Sequence, residues 1–82
     1  MRRKDLLPRD TFLYCVVDDV SEPWIFTGFF CGVDGDFAII SDSGLNRVRI
    51  GSNNVRFLLH HCFFTEEGAK AYIRDVLGGG GA

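Results

Sequence analysis

Eighty-two residues with a formal net charge of −2 make one domain, and 46% of them are hydrophobic, eight being phenylalanine. No run approaches the ~18 apolar residues of a membrane-spanning helix, and no apolar core follows the charged N-terminus, so the chain reads as neither membrane-bound nor secreted and a cytoplasmic location is expected. Arg2, Arg3, Lys4 and Arg9 meet only Asp5 in the first nine residues, whereas ten carboxylates oppose five cations from Asp10 onward; such an acidic body repels a phosphate backbone and disfavours nucleic acid as a general partner.

Residues 1–10 are polar and contain Pro8, and they read as a flexible basic arm. The domain proper is expected over residues 11–77. Thr11–Asp18 is the first expected strand. Its run from Phe12 to Val17 does not alternate, which predicts burial on both faces. Asp18-Asp19-Val20-Ser21-Glu22-Pro23 is a loop, because Pro23 and three carboxylates suit no strand interior.

Trp24–Val33 is a long strand in which Gly28 and Gly32 mark bends or a bulge that would let a small sheet curl. Asp34-Gly35 has the chemistry of a two-residue hairpin turn. That turn pairs Val33 with Asp36, Gly32 with Phe37, Cys31 with Ala38 and Phe30 with Ile39. The next strand, Asp36–Ser41, ends at the turn Asp42-Ser43-Gly44.

Leu45–Ile50 alternates and predicts a strand with Val48 and Ile50 inward and Arg47 and Arg49 outward. Gly51-Ser52-Asn53-Asn54 then turns the chain into Val55–Leu59, with Arg56 on the outer side. His60–Phe64 continues as a strand or short connector. Thr65 is a good N-cap for a helix over 65–77, with Glu66 and Glu67 in the first turn where the helix dipole favours anions. Phe64 and Ala69 are spaced as a hydrophobic staple. Ala69, Tyr72, Ile73, Val76 and Leu77 form its apolar stripe, and Gly78 opens a Gly-rich tail over 78–82.

Little in the chain points to catalysis. Cys15, Cys31 and Cys62 are odd in number, lie in apolar runs and form no C-x-x-C, so they read as small buried hydrophobes of a reducing compartment. In a strand, His60 and Cys62 would share a face with His61 pointing away, two ligands that leave a tetrahedral site open. No acid, base and nucleophile converge by spacing. The chain is therefore expected to be no enzyme and to need no metal or cofactor.

The strand order, the short turn before the last strand and the single helix resemble SH3-like small barrels. Phe63-Phe64-Thr65-Glu66-Glu67-Gly68-Ala69 is similar to the close of many short β-meander proteins of phages and mobile elements, although Gly68 departs from that pattern. The resemblance spans about Thr11–Leu77. It implies an SH3-like, five-stranded antiparallel barrel with one C-terminal helix. It also implies an accessory that binds a protein, or an anti-defence protein of the anti-CRISPR kind that covers a basic, nucleic-acid-handling groove.

Two binding surfaces follow. Asp18, Asp19, Glu22, Asp34, Asp36 and Asp42 would form an acidic rim beside Trp24 and take a partner with a basic surface. Arg47, Arg49 and Arg56 with nearby aromatics would form a rival face for single-stranded nucleic acid, or remain ordinary solvent-side residues. The aromatic surplus also leads us to expect a homodimer.

Overall fold

The computed structural model describes residues 7–19, 21–47 and 54–78. Among the described residues five strands form one sheet: β1 (Phe12–Val17), β2 (Trp24–Asp34), β3 (Phe37–Asp42), β4 (Val55–Leu58) and β5 (Cys62–Phe63). Their order is β4-β3-β2-β1-β5, and every pairing is antiparallel. A 3₁₀ turn, Leu59–His61, separates β4 from β5, and helix α1 (Glu66–Tyr72) follows. The sheet is open: edge strands β4 and β5 do not pair with each other. The expected closed barrel is thus a curled sheet.

Curling is evident where Phe26 of β2 meets Phe57 of β4 at 5.3 Å between ring centroids, although β3 lies between their strands. The concave face carries the core: Leu13, Cys15, Phe26, Phe30, Ala38, Ile40 and Cys62, closed by Leu59. Gly28 allows β2 and β3 to approach, since a Cβ there would overlap the Ser41 carbonyl oxygen and the Ile40 side chain.

The hairpin register differs from the expected one by a residue. Asp34 pairs with Phe37 and Val33 with Ala38, so the turn is Gly35-Asp36 rather than Asp34-Gly35. Gly35 has φ 62°, and glycine at the first central position suits a primed hairpin turn. The register shifts between Phe30 and Gly32, as a bulge at Cys31, so Phe30 faces Ile40 and Gly32 faces Ile39. The extra residue moves Val33, rather than Gly32, to the face that Ala38 shares.

Helix α1 lies across β1 and β5 on the convex face, where Phe63 pairs with Tyr14 and meets Tyr72 at 5.5 Å. Val16 points to that face and is only 1% exposed, as Ala69 of the helix is fully buried. The apolar run of β1 is therefore covered on one face by the core and, at Val16, on the other by the helix, while Phe12 and Tyr14 stay half-buried. The Thr65 cap holds, its Oγ1 accepting the Gly68 N–H at 3.0 Å. The Phe64–Ala69 staple does not form: Phe64 is half exposed and Phe63 takes the place beside the helix. From Ile73 to Gly78 the helix widens to π geometry. Its wider turn rotates the expected stripe, leaving Val76 57% exposed.

Two further expectations change. Leu45–Arg47 is an irregular bend, not the start of a strand, and Leu45 is 80% exposed; Val48–Ile50 and Gly51–Asn53 lie outside the described residues. The arm does not end at residue 10, because Leu7 packs on the core and the Asp10 N–H donates to the Phe30 carbonyl at 2.8 Å. Residues 1–6 and 79–82 lie outside the described residues.

Candidate functional site

A cleft of about 400 Å³ opens on the convex face beside the N-terminal end of the helix. Alternation along β1 and β2 builds its floor, sending Phe12, Tyr14, Ile25 and Thr27 to the side opposite Leu13, Cys15 and Phe26. Phe12 and Tyr14 meet edge to face at 5.3 Å. Trp24 closes one end, packing on the core while also lining the cleft. Glu66 reaches the rim from the first turn of α1, where the Thr65 cap sets the helix start.

The loop after β3 supplies the remaining wall, and Asn46 secures it. Its side-chain Oδ1 accepts the Thr27 backbone N–H at 2.7 Å, and its Nδ2 donates to the Thr27 carbonyl at 2.8 Å. The same Nδ2 also donates to Asp42 Oδ1 at 2.7 Å. Thr27 and Ser43 hydroxyls share a 2.7 Å hydrogen bond. One amide thus serves β2 where strand pairing has ended, and it fixes Leu45 and Arg47 beside the floor. Arg47 places its guanidinium 4.7 Å from the Trp24 ring centroid, a cation–π contact.

The expected acidic rim is divided. Asp18, Asp19 and Glu22 follow β1 and lie at the Trp24 end of β2, where Val17 pairs with Trp24. Asp34 and Asp36 lie at the opposite end of β2, at the hairpin tip. Asp34 accepts an ion pair from Arg56 at 3.1 Å. Asp42 serves the next turn, accepting from Gly44 N–H at 2.8 Å. The Asp19 carboxyl is held below its ordinary range by the Ser21 N–H and hydroxyl, with Arg47 adding to the effect.

The expected arginine face is likewise not assembled among the described residues. Arg47 sits on Trp24, Arg56 sits with Asp34 at the far tip, and Arg49 lies outside the described residues.

His60 and His61 sit on the 3₁₀ turn, so the strand-like placement of His60 beside Cys62 does not occur. Their rings lie 4.5 Å apart, and His61 meets Tyr72 at 5.3 Å. Burial lowers the His61 pKa, the neighbouring His60 lowers it further, and Asp18 opposes both. Cys62 instead points into the core against Cys15. Among the described residues no three His, Cys, Asp or Glu side chains gather as metal ligands.

Trp24 and Arg47 were legible as candidates. Phe12, Tyr14, Ile25, Thr27, Asn46 and Glu66 were not, and their signal lies in the alternation of β1 and β2 once the helix is placed on one face. No protein-family model, curated protein or solved structure matches the chain.

Proposed function

We propose that this protein is a non-catalytic protein-binding module whose partner seats an apolar segment in the cleft of Phe12, Tyr14, Ile25 and Trp24. The observation carrying this reading is an aromatic-floored cleft outside the hydrophobic core, walled by a loop that Asn46 holds in place. Concave, mainly apolar sites with a few fixed polar groups are what ligands occupy. The lining offers one carboxylate, Glu66, and one guanidinium, Arg47, with no nucleophile beside a base.

Among the described residues, Asp19 and Glu22 near Trp24, together with Glu66, outnumber Arg47 around the opening, which supports a partner with basic flanks. The order β4-β3-β2-β1-β5, with a 3₁₀ turn before the last strand, supports an SH3-like reading of the fold. Function does not follow from that reading by itself.

Selection of peptides displayed against the intact chain tests the proposal, with Trp24 fluorescence as the titration signal. Selected peptides are expected to carry basic flanks. They should lose at least tenfold in affinity for Ile25→Glu and bind normally to Phe37→Ser, which lies at the hairpin tip. Peptides indifferent to Ile25→Glu, or no selected peptide at all, would overturn it. Oligonucleotide binding abolished by Arg47→Ala would favour the nucleic-acid reading instead.

A further inference from the structure

Cys15 and Cys62 stand directly opposite each other on antiparallel β1 and β5. Both side chains are fully buried. Their sulfurs are 3.8 Å apart, the Cys15 thiol donating to Cys62. Opposed residues of an antiparallel pair have Cα atoms about 4.5 or 5.5 Å apart, according to the kind of pair. Both separations fall within the ~4.4–6.8 Å that a disulfide bridges. Closing the sulfurs to about 2.05 Å therefore calls for side-chain rotation rather than strand displacement. Cys31, on the bulge of β2, is half-buried and remote from this register.

Chemistry favours Cys62 as the attacking sulfur. Its hydrogen bond with Cys62 and burial raise the Cys15 pKa well above the ordinary cysteine range. Accepting that hydrogen bond lowers the pKa of Cys62. Cys15 is thus the proton-retaining partner, while Cys62, whose own thiol donates to the Leu58 carbonyl at 3.5 Å, is the readier of the two to give up its proton and attack. Access comes from the fold. β5 has two residues and lies at the sheet edge, and short edge elements open locally at lower free energy than central strands.

We propose that Cys15 and Cys62 form an oxidisable dithiol, which a small hydroperoxide converts to a cross-strand disulfide tying β5 to β1. The Cys62 thiolate attacks a peroxide oxygen, the O–O bond breaks, and water leaves with one added proton as Cys62 becomes a sulfenic acid. The Cys15 sulfur then attacks Cys62 Sγ, the S–O bond breaks, and a second water carries away the Cys15 proton. Two thiols lose two electrons and two protons, and one hydrogen peroxide becomes two waters. The disulfide closes the long loop from β1 to β5, so it restricts the unfolded chain strongly. It also fastens the strand on which α1 rests, and with it the Glu66 rim of the cleft.

The test uses the full chain carrying Cys31→Ser, which removes the third thiol. The folded protein is exposed to hydrogen peroxide, alkylated after denaturation, and analysed by peptide mass spectrometry. The expected product is monomeric, two hydrogens lighter, with Cys15 and Cys62 peptides joined, and dithiothreitol restores both thiols. Its thermal midpoint should rise by at least 5 °C and return on reduction. Cys15 and Cys62 both still alkylated after prolonged exposure would overturn the proposal. So would sulfinic acid at either residue without a cross-link, or an oxidised form that melts no higher than the reduced one.

Discussion

Asn46 pairs through its side-chain amide with the backbone of Thr27, accepting its N–H at 2.7 Å and donating to its carbonyl at 2.8 Å. The amide occupies the place of a neighbouring strand at a point where β3 has already turned away. Both groups of Thr27 are part-buried, so neither can turn to water without moving the loop. Asn46 shares the hold on the cleft wall with Ser43, whose N–H also donates to the Thr27 carbonyl at 3.2 Å.

Replacing Asn46 by Ala should therefore cost about 1–3 kcal/mol, the penalty of leaving the part-buried Thr27 N–H without its partner, while the Thr27 carbonyl keeps the Ser43 N–H. Asn46→Asp should do no better. It cannot donate to the Thr27 carbonyl, and it sets a second carboxylate against Asp42, which now accepts from Asn46 at 2.7 Å. Urea denaturation gives the stability, and faster hydrogen exchange at the Thr27 amide locates the loss.

Gly28→Ala should destabilise the sheet by about 1–3 kcal/mol through overpacking. The added Cβ meets the Ser41 carbonyl oxygen, which is backbone and cannot swing aside. The fold should otherwise be retained, and chemical shifts at Ile40, Ser41 and Asp42 should move most. A stability equal to that of the parent would contradict the close approach of β2 and β3.

Ala69→Glu should release the helix. Ala69 is fully buried against the convex face, and among the described residues no buried charged side chain stands ready to receive a carboxylate. The cost should be several kcal/mol, on the order of burying an unpaired charge. Far-UV circular dichroism should lose its helical part and retain its β signal, while Val16 becomes exposed. A cooperative fold with unchanged helicity would show that the helix does not cover β1.

Stability should decline below pH 6.5, the ordinary histidine value from which His61 is lowered. The sign follows from linkage: the unfolded chain takes up the proton more readily than the folded one. The contribution of His61 is thus complete above pH 6.5 and lost as pH falls through its lower, folded-state value. Urea denaturation between pH 8 and pH 5 should show this slope, and His61→Gln should flatten it.

Much of the fold was legible because its signals are local. Thr65 followed by two glutamates identifies a helix start, since capping chemistry acts within one turn. Thr11–Asp18 and Trp24–Val33 read as strands from their β-branched and aromatic content, and the glycines of β2 marked a bend or bulge. The unalternating run of β1 predicted burial on both faces, as Leu13 and Val16 show.

Tertiary structure decided the remainder. The hairpin turn moved to Gly35-Asp36 because the bulge at Cys31, together with packing of Phe30 against Ile40, sets the register from the core outward. Leu45–Arg47 alternates like a strand, yet Asn46 finds its partners on Thr27, and a side-chain hydrogen bond across 19 positions leaves no periodic trace. The six carboxylates that looked like one rim were divided by the length of β2, which holds Trp24 and Asp34 at opposite ends. Cys15 and Cys62, 47 positions apart, meet because β5 returns to the free edge of β1. Sequence alone determined where the first two strands run and where the helix starts, because propensity and capping depend on neighbours along it. Which side chains meet was left to the curling of the sheet, because that depends on packing between residues far apart in the chain.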